Sequence, residues 1–227
     1  MISKFHAVVT GTSSGIGQAI AQRLLDDGWR VTGFDRAPPS IQAAAFHAVP
    51  VDLTDTRAAL DALDAAQDVT ALVHAAGIMR GGRLGSLDLG ASELLWRVHV
   101  DAAIALADRL APRLTEGGRI VLIGSRAARG VANRSQYGAT KAALASLARS
   151  WAKELAPRGI TVNVVAPAAT DTPMLADPAR TTVPPVTPPI GRLIRPEEVA
   201  ALVAYLLSAD AAAITGQEIA ICGGASI

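Results

Sequence analysis

Tyr137 and Lys141 carry the clearest chemical meaning in this sequence: within Tyr137-Gly138-Ala139-Thr140-Lys141 they stand four apart, so a helix sets them one above the other on a single face. A phenol with its ordinary pKa of about 10 is a poor base at neutral pH. A fixed ammonium one turn away favours the phenolate and brings proton exchange closer to working pH. The chemistry this pair suits is delivery of a proton to an alkoxide developing at a carbonyl, or its removal in the reverse direction. Ser125 closes the apolar run Ile120-Val121-Leu122-Ile123-Gly124 and adds a hydroxyl able to hold the same oxygen toward Tyr137. Its place matters, because open α/β sheets bind ligands beyond the carboxyl ends of their strands. Lysine is rare here, confined to Lys4, Lys141 and Lys153 among many scattered arginines.

A second constellation lies near the start of the chain. Thr10-Gly11-Thr12-Ser13-Ser14-Gly15-Ile16-Gly17 follows a strand pattern and opens a helical one, the context of a dinucleotide-binding turn. Gly11 suits the tight turn, Gly15 the close approach of backbone to a pyrophosphate, and Gly17 the packing of helix on strand. The helix start presents free N–H groups and a positive dipole end to phosphate. Asp35 stands roughly 20 residues further on, at the end of the second strand, and Arg36 follows it. A carboxylate there accepts from the adenosine ribose hydroxyls and opposes a 2′-phosphate, so it selects NAD over NADP, with Arg36 pulling weakly the other way. Asp52, in Val51-Asp52-Leu53, can accept from the adenine amino group or simply start a helix. Lys141 can also donate to the nicotinamide ribose, which links cofactor to chemistry.

The elements that must position these residues follow from periodicity. Short β-branched runs at Phe5–Thr10, Arg30–Phe34, His47–Val51, Ala71–His74, Arg119–Gly124, Thr161–Val165 and Glu218–Ile221 alternate with helical patterns at Gly15–Asp27, Thr56–Ala66, Ser92–Leu114, Gln136–Ala156 and Pro196–Ser208. That alternation predicts an α/β fold, a doubly wound seven-stranded parallel sheet with helices on both faces and helices joining successive strands. Gly28, Gly117, Gly118 and Gly159 fall at the expected helix ends. Half of the 227 residues are hydrophobic but only 4% are aromatic, so the core is built from Ala, Val, Leu and Ile. Without a composition shift or internal repeat, residues 1–227 read as one domain. The biased stretch Asp177 to Gly191, with five prolines, predicts a substrate loop at about 173–192.

At this point the chain resembles the short-chain dehydrogenase/reductase (SDR) family over essentially its whole length. The residues that carry the resemblance are the Thr-Gly-x3-Gly-x-Gly turn, Ser125, Tyr137-x3-Lys141, Val162-Asn163-x2-Ala166-Pro167, and Thr215-Gly216-Gln217 with Gly223-Gly224. The resemblance implies a Rossmann-like domain, a nicotinamide cofactor, and a homotetramer or homodimer assembled through the helices at Ser92–Leu114 and Gln136–Ala156. It also implies that Ala75, Ala76 and Gly77 line the cofactor and that Pro167, Thr170 and Thr172 lie beside the nicotinamide. Four departures stand out. His74 replaces the first residue of the family's Asn-Ala-Ala-Gly segment, and His99 replaces the helix asparagine of its proton relay. Histidine titrates near neutrality, so His99 is expected either to carry that relay or to be a structural residue. Ala168 replaces a glycine, and the interval from Ser125 to Tyr137 is one residue shorter than usual.

Arg80, Arg126, Arg129 and Arg134 surround these motifs, and any that point inward would favour an anionic substrate. The segments Ala75-Ala76-Gly77-Ile78-Met79-Arg80 and Thr170-Asp171-Thr172-Pro173-Met174 resemble dihydrodihydroxybenzoate dehydrogenases. A formal net charge of +1 gives no reason to expect nucleic acid or a membrane surface. The start of the chain runs directly into a strand, no apolar stretch has the length of a membrane span, and Cys222 stands alone without metal ligands around it. The expectation is a cytoplasmic oxidoreductase acting on a small molecule. The rivals are an NADPH-linked 3-oxoacyl reductase and an NAD-binding sensor or partner subunit with impaired catalysis.

Overall fold

Each apolar run is short, rich in β-branched residues and bounded by turn formers, which favours strands buried on both faces. The computed structural model, which describes residues 5–177 and 185–227, forms them into β1 (His6–Thr10), β2 (Arg30–Asp35), β3 (Phe46–Pro50), β4 (Ala71–His74), β5 (Arg119–Ile123), β6 (Thr161–Pro167) and β7 (Glu218–Ile221). All pair in parallel in the order β3-β2-β1-β4-β5-β6-β7. The helices are α1 (Gly15–Asp26), α2 (Thr56–Ala65), α3 (Leu89–Trp96), α4 (Ala102–Leu110), α5 (Ser135–Leu155) and α6 (Pro196–Leu207). This is the Rossmann-like architecture that the alternation predicts.

Alternate residues of the central strands feed two cores. Val8, Leu72, Ile120, Leu122, Val162 and Val164 pack against Leu63 of α2, Leu106 and Leu110 of α4 and Leu144 of α5. Their neighbours Ala7, Val9, Val73 and Val121 pack against Ile20 and Leu24 of α1 and Val199 and Val203 of α6. Strand order reverses direction between β1 and β4, and the crevice at that switch point is where such sheets bind ligands.

Two connections differ from the sequence expectation. No helix joins β2 to β3, because the linker carries Pro38-Pro39, which lack backbone donors, and Ser40 Oγ instead donates to the Ser13 carbonyl at 3.2 Å. The helix expected over Ser92–Leu114 begins at Leu89, where Asp88 accepts from the N–H groups of Gly90 and Ala91 at 2.8 and 3.2 Å. It stops at Leu110, two residues before Pro112, and Arg158 caps the carbonyls of Ala111 and Leu114. Between α3 and α4 the chain makes a π-helical turn, Arg97–Asp101, centred on His99. The proline-rich loop is only partly in view: Pro173–Ala176 forms a 3₁₀ turn, Pro178 and Pro184 lie outside the described residues, and the Ile190 N–H donates to the Gly223 carbonyl at 3.1 Å.

Candidate active site

The carboxyl ends of β1, β4, β5 and β6 open onto one cavity of about 520 Å³ that runs from Asp35 and Asp52 to Arg80 and Met174. At its near end Gly11 adopts φ +77°, and a Cβ there would sit 2.9 Å from the Ala76 backbone. A Cβ on Gly17 would collide with the Gly11 carbonyl oxygen, so glycine is what allows α1 to dock so tightly on the turn. Ser14 is the N-cap of α1, yet its side chain caps no backbone N–H, and the first turn holds no acid. The helix start therefore offers donors and its positive end to an anion. These are residues that fit a dinucleotide: Gly11, Ser14, Gly15, Ile16 and Gly17 line the cavity.

Asp35 also lines it, together with Arg36, Asp52 and Leu53. Backbone N–H groups hold both Asp35 oxygens, Ser13 N on Oδ2 and Ala37 N on Oδ1, each at 2.9 Å. The carboxylate is thus fixed in place with lone pairs to spare. Asp52 Oδ1 accepts from the Thr54 N–H and hydroxyl at 2.9 and 2.8 Å, and those bonds, helped by Arg36, lower its pKa. Ser13, expected among the cofactor residues, is absent from the wall. Its hydroxyl turns away to donate to the Ala37 carbonyl at 2.9 Å, so it braces the Asp35 loop.

At the far end α5 delivers Tyr137 and Lys141, and β5 delivers Ser125; all three line the cavity with Ala75, Ala76, Gly77, Pro167, Thr170 and Thr172. Ser125 caps a 3₁₀ turn (Arg126–Arg129), its Oγ accepting from the Ala127 N–H at 3.1 Å. Gly138 lets α5 approach that turn closely, since a Cβ there would lie 2.8 Å from the Ala127 carbonyl oxygen. Tyr137 is buried among Met79, Leu95 and Ala127. Lys141 Nζ lies 5.9 Å from the Tyr137 ring centroid and donates to the Ile123 carbonyl at 2.8 Å. Burial pulls the lysine down to about 7. A permanent ammonium, expected from the sequence, gives way in this enclosed position to a group that titrates near neutrality, and a nearby anion would favour its charged form.

His99 does not reach the cavity wall. Its Nε2 accepts from the Ile78 N–H at 3.0 Å, which leaves the ring proton on Nδ1, donated to Thr140 Oγ1 at 2.8 Å. Thr140 in turn donates to the Tyr137 carbonyl at 2.8 Å. Both ring nitrogens are committed, and burial, with the Lys141 charge, holds the imidazole neutral, well below its usual pKa. Of the two roles open to His99 in the sequence, these bonds fit the structural one. His74 mirrors it. Thr10 Oγ1 accepts from the N–H groups of Ala75 and Ala76 at 3.0 and 2.9 Å, so its proton goes to His74 Nδ1 at 3.1 Å. His74 Nε2–H then donates to the Val98 carbonyl at 3.1 Å, and burial pushes its pKa down to about 3. Each histidine reaches across to the other's backbone neighbourhood, and the pair ties the loop after β4 to the π turn.

Thr10, Thr140 and Gly138 escaped the sequence reading. Only Thr10 left a signal, as the threonine heading the glycine turn; the other two depend on contacts made across the fold. Of the four arginines, Arg80, Arg126 and Arg134 line the cavity, and Arg129 is exposed outside it. Among the described residues there is no cluster of metal-ligating side chains and no helix long and apolar enough to cross a membrane.

A dinucleotide cradle at one end of a cavity and a Ser, Tyr and Lys set at the other define a nicotinamide-linked oxidoreductase. The chain belongs to the short-chain dehydrogenase/reductase family: a family model described as enoyl-(acyl carrier protein) reductase matches residues 11–226. It is 39% identical to cis-4-hydroxycyclohexanecarboxylate dehydrogenase of Sinomonas cyclohexanicum, covering 96% of this chain and 95% of the relative. It is 35% identical to 2,3-dihydro-2,3-dihydroxybenzoate dehydrogenase of Escherichia coli, with 96% of each covered. Among solved structures it superimposes on the 3-ketoacyl-(acyl-carrier-protein) reductase of Brucella melitensis complexed with NADH, with a TM-score of 0.89, 29% identity and 98% of each chain covered.

Proposed function

We propose that this enzyme transfers a hydride between NAD(H) and a secondary alcohol or its ketone, with Tyr137 exchanging the proton on the substrate oxygen. The observation that carries the reading is the convergence of Ser125, Tyr137 and Lys141 on the cavity whose other end holds the glycine turn and Asp35. A nicotinamide held between the Gly11–Gly17 turn and Tyr137 would supply the hydride-transfer chemistry at the substrate carbon. In oxidation Tyr137 Oη takes the hydroxyl proton as the carbon loses its hydride, and in reduction it returns that proton to the alkoxide. Ser125 holds the oxygen in line. Lys141, once charged, favours the phenolate and can bond the cofactor ribose.

Asp35 supports NAD: a carboxylate fixed by two backbone N–H groups opposes a ribose phosphate. The second reading, an NADPH-linked 3-oxoacyl reductase, draws its substrate class from the Brucella relative's name, although that structure holds NADH, and its cofactor from Arg36 beside the same cavity. Fluorescence titration with NADH and NADPH decides between them, and tighter NADPH binding reverses the assignment. Against the sensor alternative, which His74, His99 and Ala168 motivate, stand the hydrogen bonds that satisfy both histidines within the wall and the presence of Ser125, Tyr137 and Lys141 on the cavity. Tyr137→Phe should retain NADH binding and lose turnover by at least about 100-fold, the scale of general acid–base catalysis. Undiminished turnover in that variant sinks the proposal. We further propose a cytoplasmic homodimer or homotetramer, joined through α3, α4 and α5, where Leu89, Trp96 and Ile104 stand exposed on the first two.

A further inference from the structure

The charged side chains of the cavity wall are not evenly distributed. Asp35 and Asp52 lie with Arg36 at the end beside β2 and β3, whereas the end holding Ser125 and Tyr137 carries Arg80, Arg126, Arg134 and Lys141. Among the described residues no acid lines that end. Around these cations the wall is apolar, formed by Met79, Leu94, Val131, Met174 and Leu175. Arg126 is already engaged, its Nη1 donating to the Ala225 carbonyl at 3.0 Å. Arg80 differs. Its Nη1 donates to the Met79 carbonyl at 2.6 Å and meets Asp177 Oδ2 at 3.3 Å. Among the described residues both bonds run through that one nitrogen, and the Nε and Nη2 edge of the guanidinium is the planar fork that a carboxylate fills bidentately.

We infer that the substrate is a hydroxy or oxo acid, an apolar skeleton whose carboxylate docks on Arg80 while its alcohol or ketone faces Tyr137. The inference rests on the hydride-transfer reading above. Asp177 is the resident counter-ion: it holds Arg80 oriented at a partly exposed site and competes only weakly with an incoming carboxylate.

The test uses steady-state oxidation of 3-hydroxybutyrate and 3-hydroxycyclohexanecarboxylate by the full chain with NAD, each acid run beside its methyl ester. A bidentate charge-assisted pair predicts that kcat/KM favours at least one acid over its ester by roughly 10–100-fold. Arg80→Gln should erase that preference, chiefly through KM, and Arg80→Lys should restore part of it, because it keeps the charge but not the fork. Asp177→Asn, which removes the competing anion, should lower KM for the acid and leave the ester unchanged. Melting curves on each variant verify folding. Equal turnover of acid and ester, lost in Tyr137→Phe, overturns the acid assignment while the hydride-transfer reading stands. If neither acid nor ester reacts, and a panel of neutral secondary alcohols is silent too, both readings fall.

Discussion

Replacing His99 by leucine separates a structural imidazole from a catalytic one. The side chain is fully buried, its Nε2 accepting from the Ile78 N–H and its Nδ1–H donating to Thr140 Oγ1. Leucine fills similar space but leaves the Ile78 donor without an acceptor, at a cost of about 1–3 kcal/mol, and removes a second bond worth about 0.5–1.5 kcal/mol. The sum, about 1.5–4.5 kcal/mol, lowers the Tm of a chain this long by roughly 3–18 °C. Glutamine and asparagine divide the effect. A glutamine amide oxygen reaches the position of Nε2 and can accept from Ile78, whereas asparagine reaches only the position of Nδ1. Thermal melts should therefore rank wild type, His99→Gln, His99→Asn and His99→Leu in falling order. The pH profile of kcat in His99→Gln should match wild type, because the native imidazole stays neutral across the working range. A leucine variant that melts like wild type, an asparagine variant more stable than the glutamine one, or a kcat profile that loses an ionisation near neutrality would each refute the assigned tautomer.

Lys141 makes stability depend on pH. Burial lowers its folded pKa to about 7 from 10.5, so the unfolded chain binds the extra proton throughout that window and folding is penalised as pH falls through it. Lys141→Met should raise Tm most at or below pH 7 and progressively less toward pH 10, measured without cofactor; a constant difference across that range contradicts the burial argument. Gly138→Ala puts a methyl 2.8 Å from the Ala127 carbonyl oxygen and pushes α5 off the turn that Ser125 caps. We expect a stability loss of about 1–3 kcal/mol and a fall in kcat of roughly 10–100-fold, read by melting and single-turnover kinetics. A kcat equal to wild type means that the spacing of Ser125 and Tyr137 does not depend on that contact.

The parts of the fold that could be read from sequence are those fixed by local pattern. Two-residue alternation cannot be seen in strands buried on both faces, yet runs such as Ile120–Ile123 between helical periods give the sheet, and the glycine turn gives its first crossover. Tyr137 and Lys141 were legible because one helix sets their relation. The π turn at Arg97–Asp101 was not, since its residues read as ordinary helix, and the turn is held by partners distant in sequence, His74 and Ile78. The absence of a helix between β2 and β3 follows from Pro38-Pro39, and Pro112 likewise marks the end of α4. Which arginines face inward depends on how the loops after β4 and β5 pair, through Gly82 and Arg134, and no local pattern encodes that.

The two histidines illustrate why residue type alone misleads at a site of this kind. A histidine in place of a relay asparagine invites an acid–base role, but here the surrounding donors and acceptors engage both ring nitrogens. Thr10 already accepts two backbone N–H groups and so must donate to His74, while the Ile78 N–H can only donate and so must be accepted by His99. Each constraint fixes one tautomer, and burial, with the nearby Lys141 charge, disfavours protonation of either ring. The reciprocal bonds then join two pieces of the cavity wall, the Ala75–Ile78 loop and the turn carrying Val98. A charged imidazole here would compete with Lys141 for the same anion, whereas a neutral pair leaves that lysine as the nearby group able to gain charge. In the proposed reaction the proton therefore belongs to Tyr137, and the two histidines set the shape of the wall it faces.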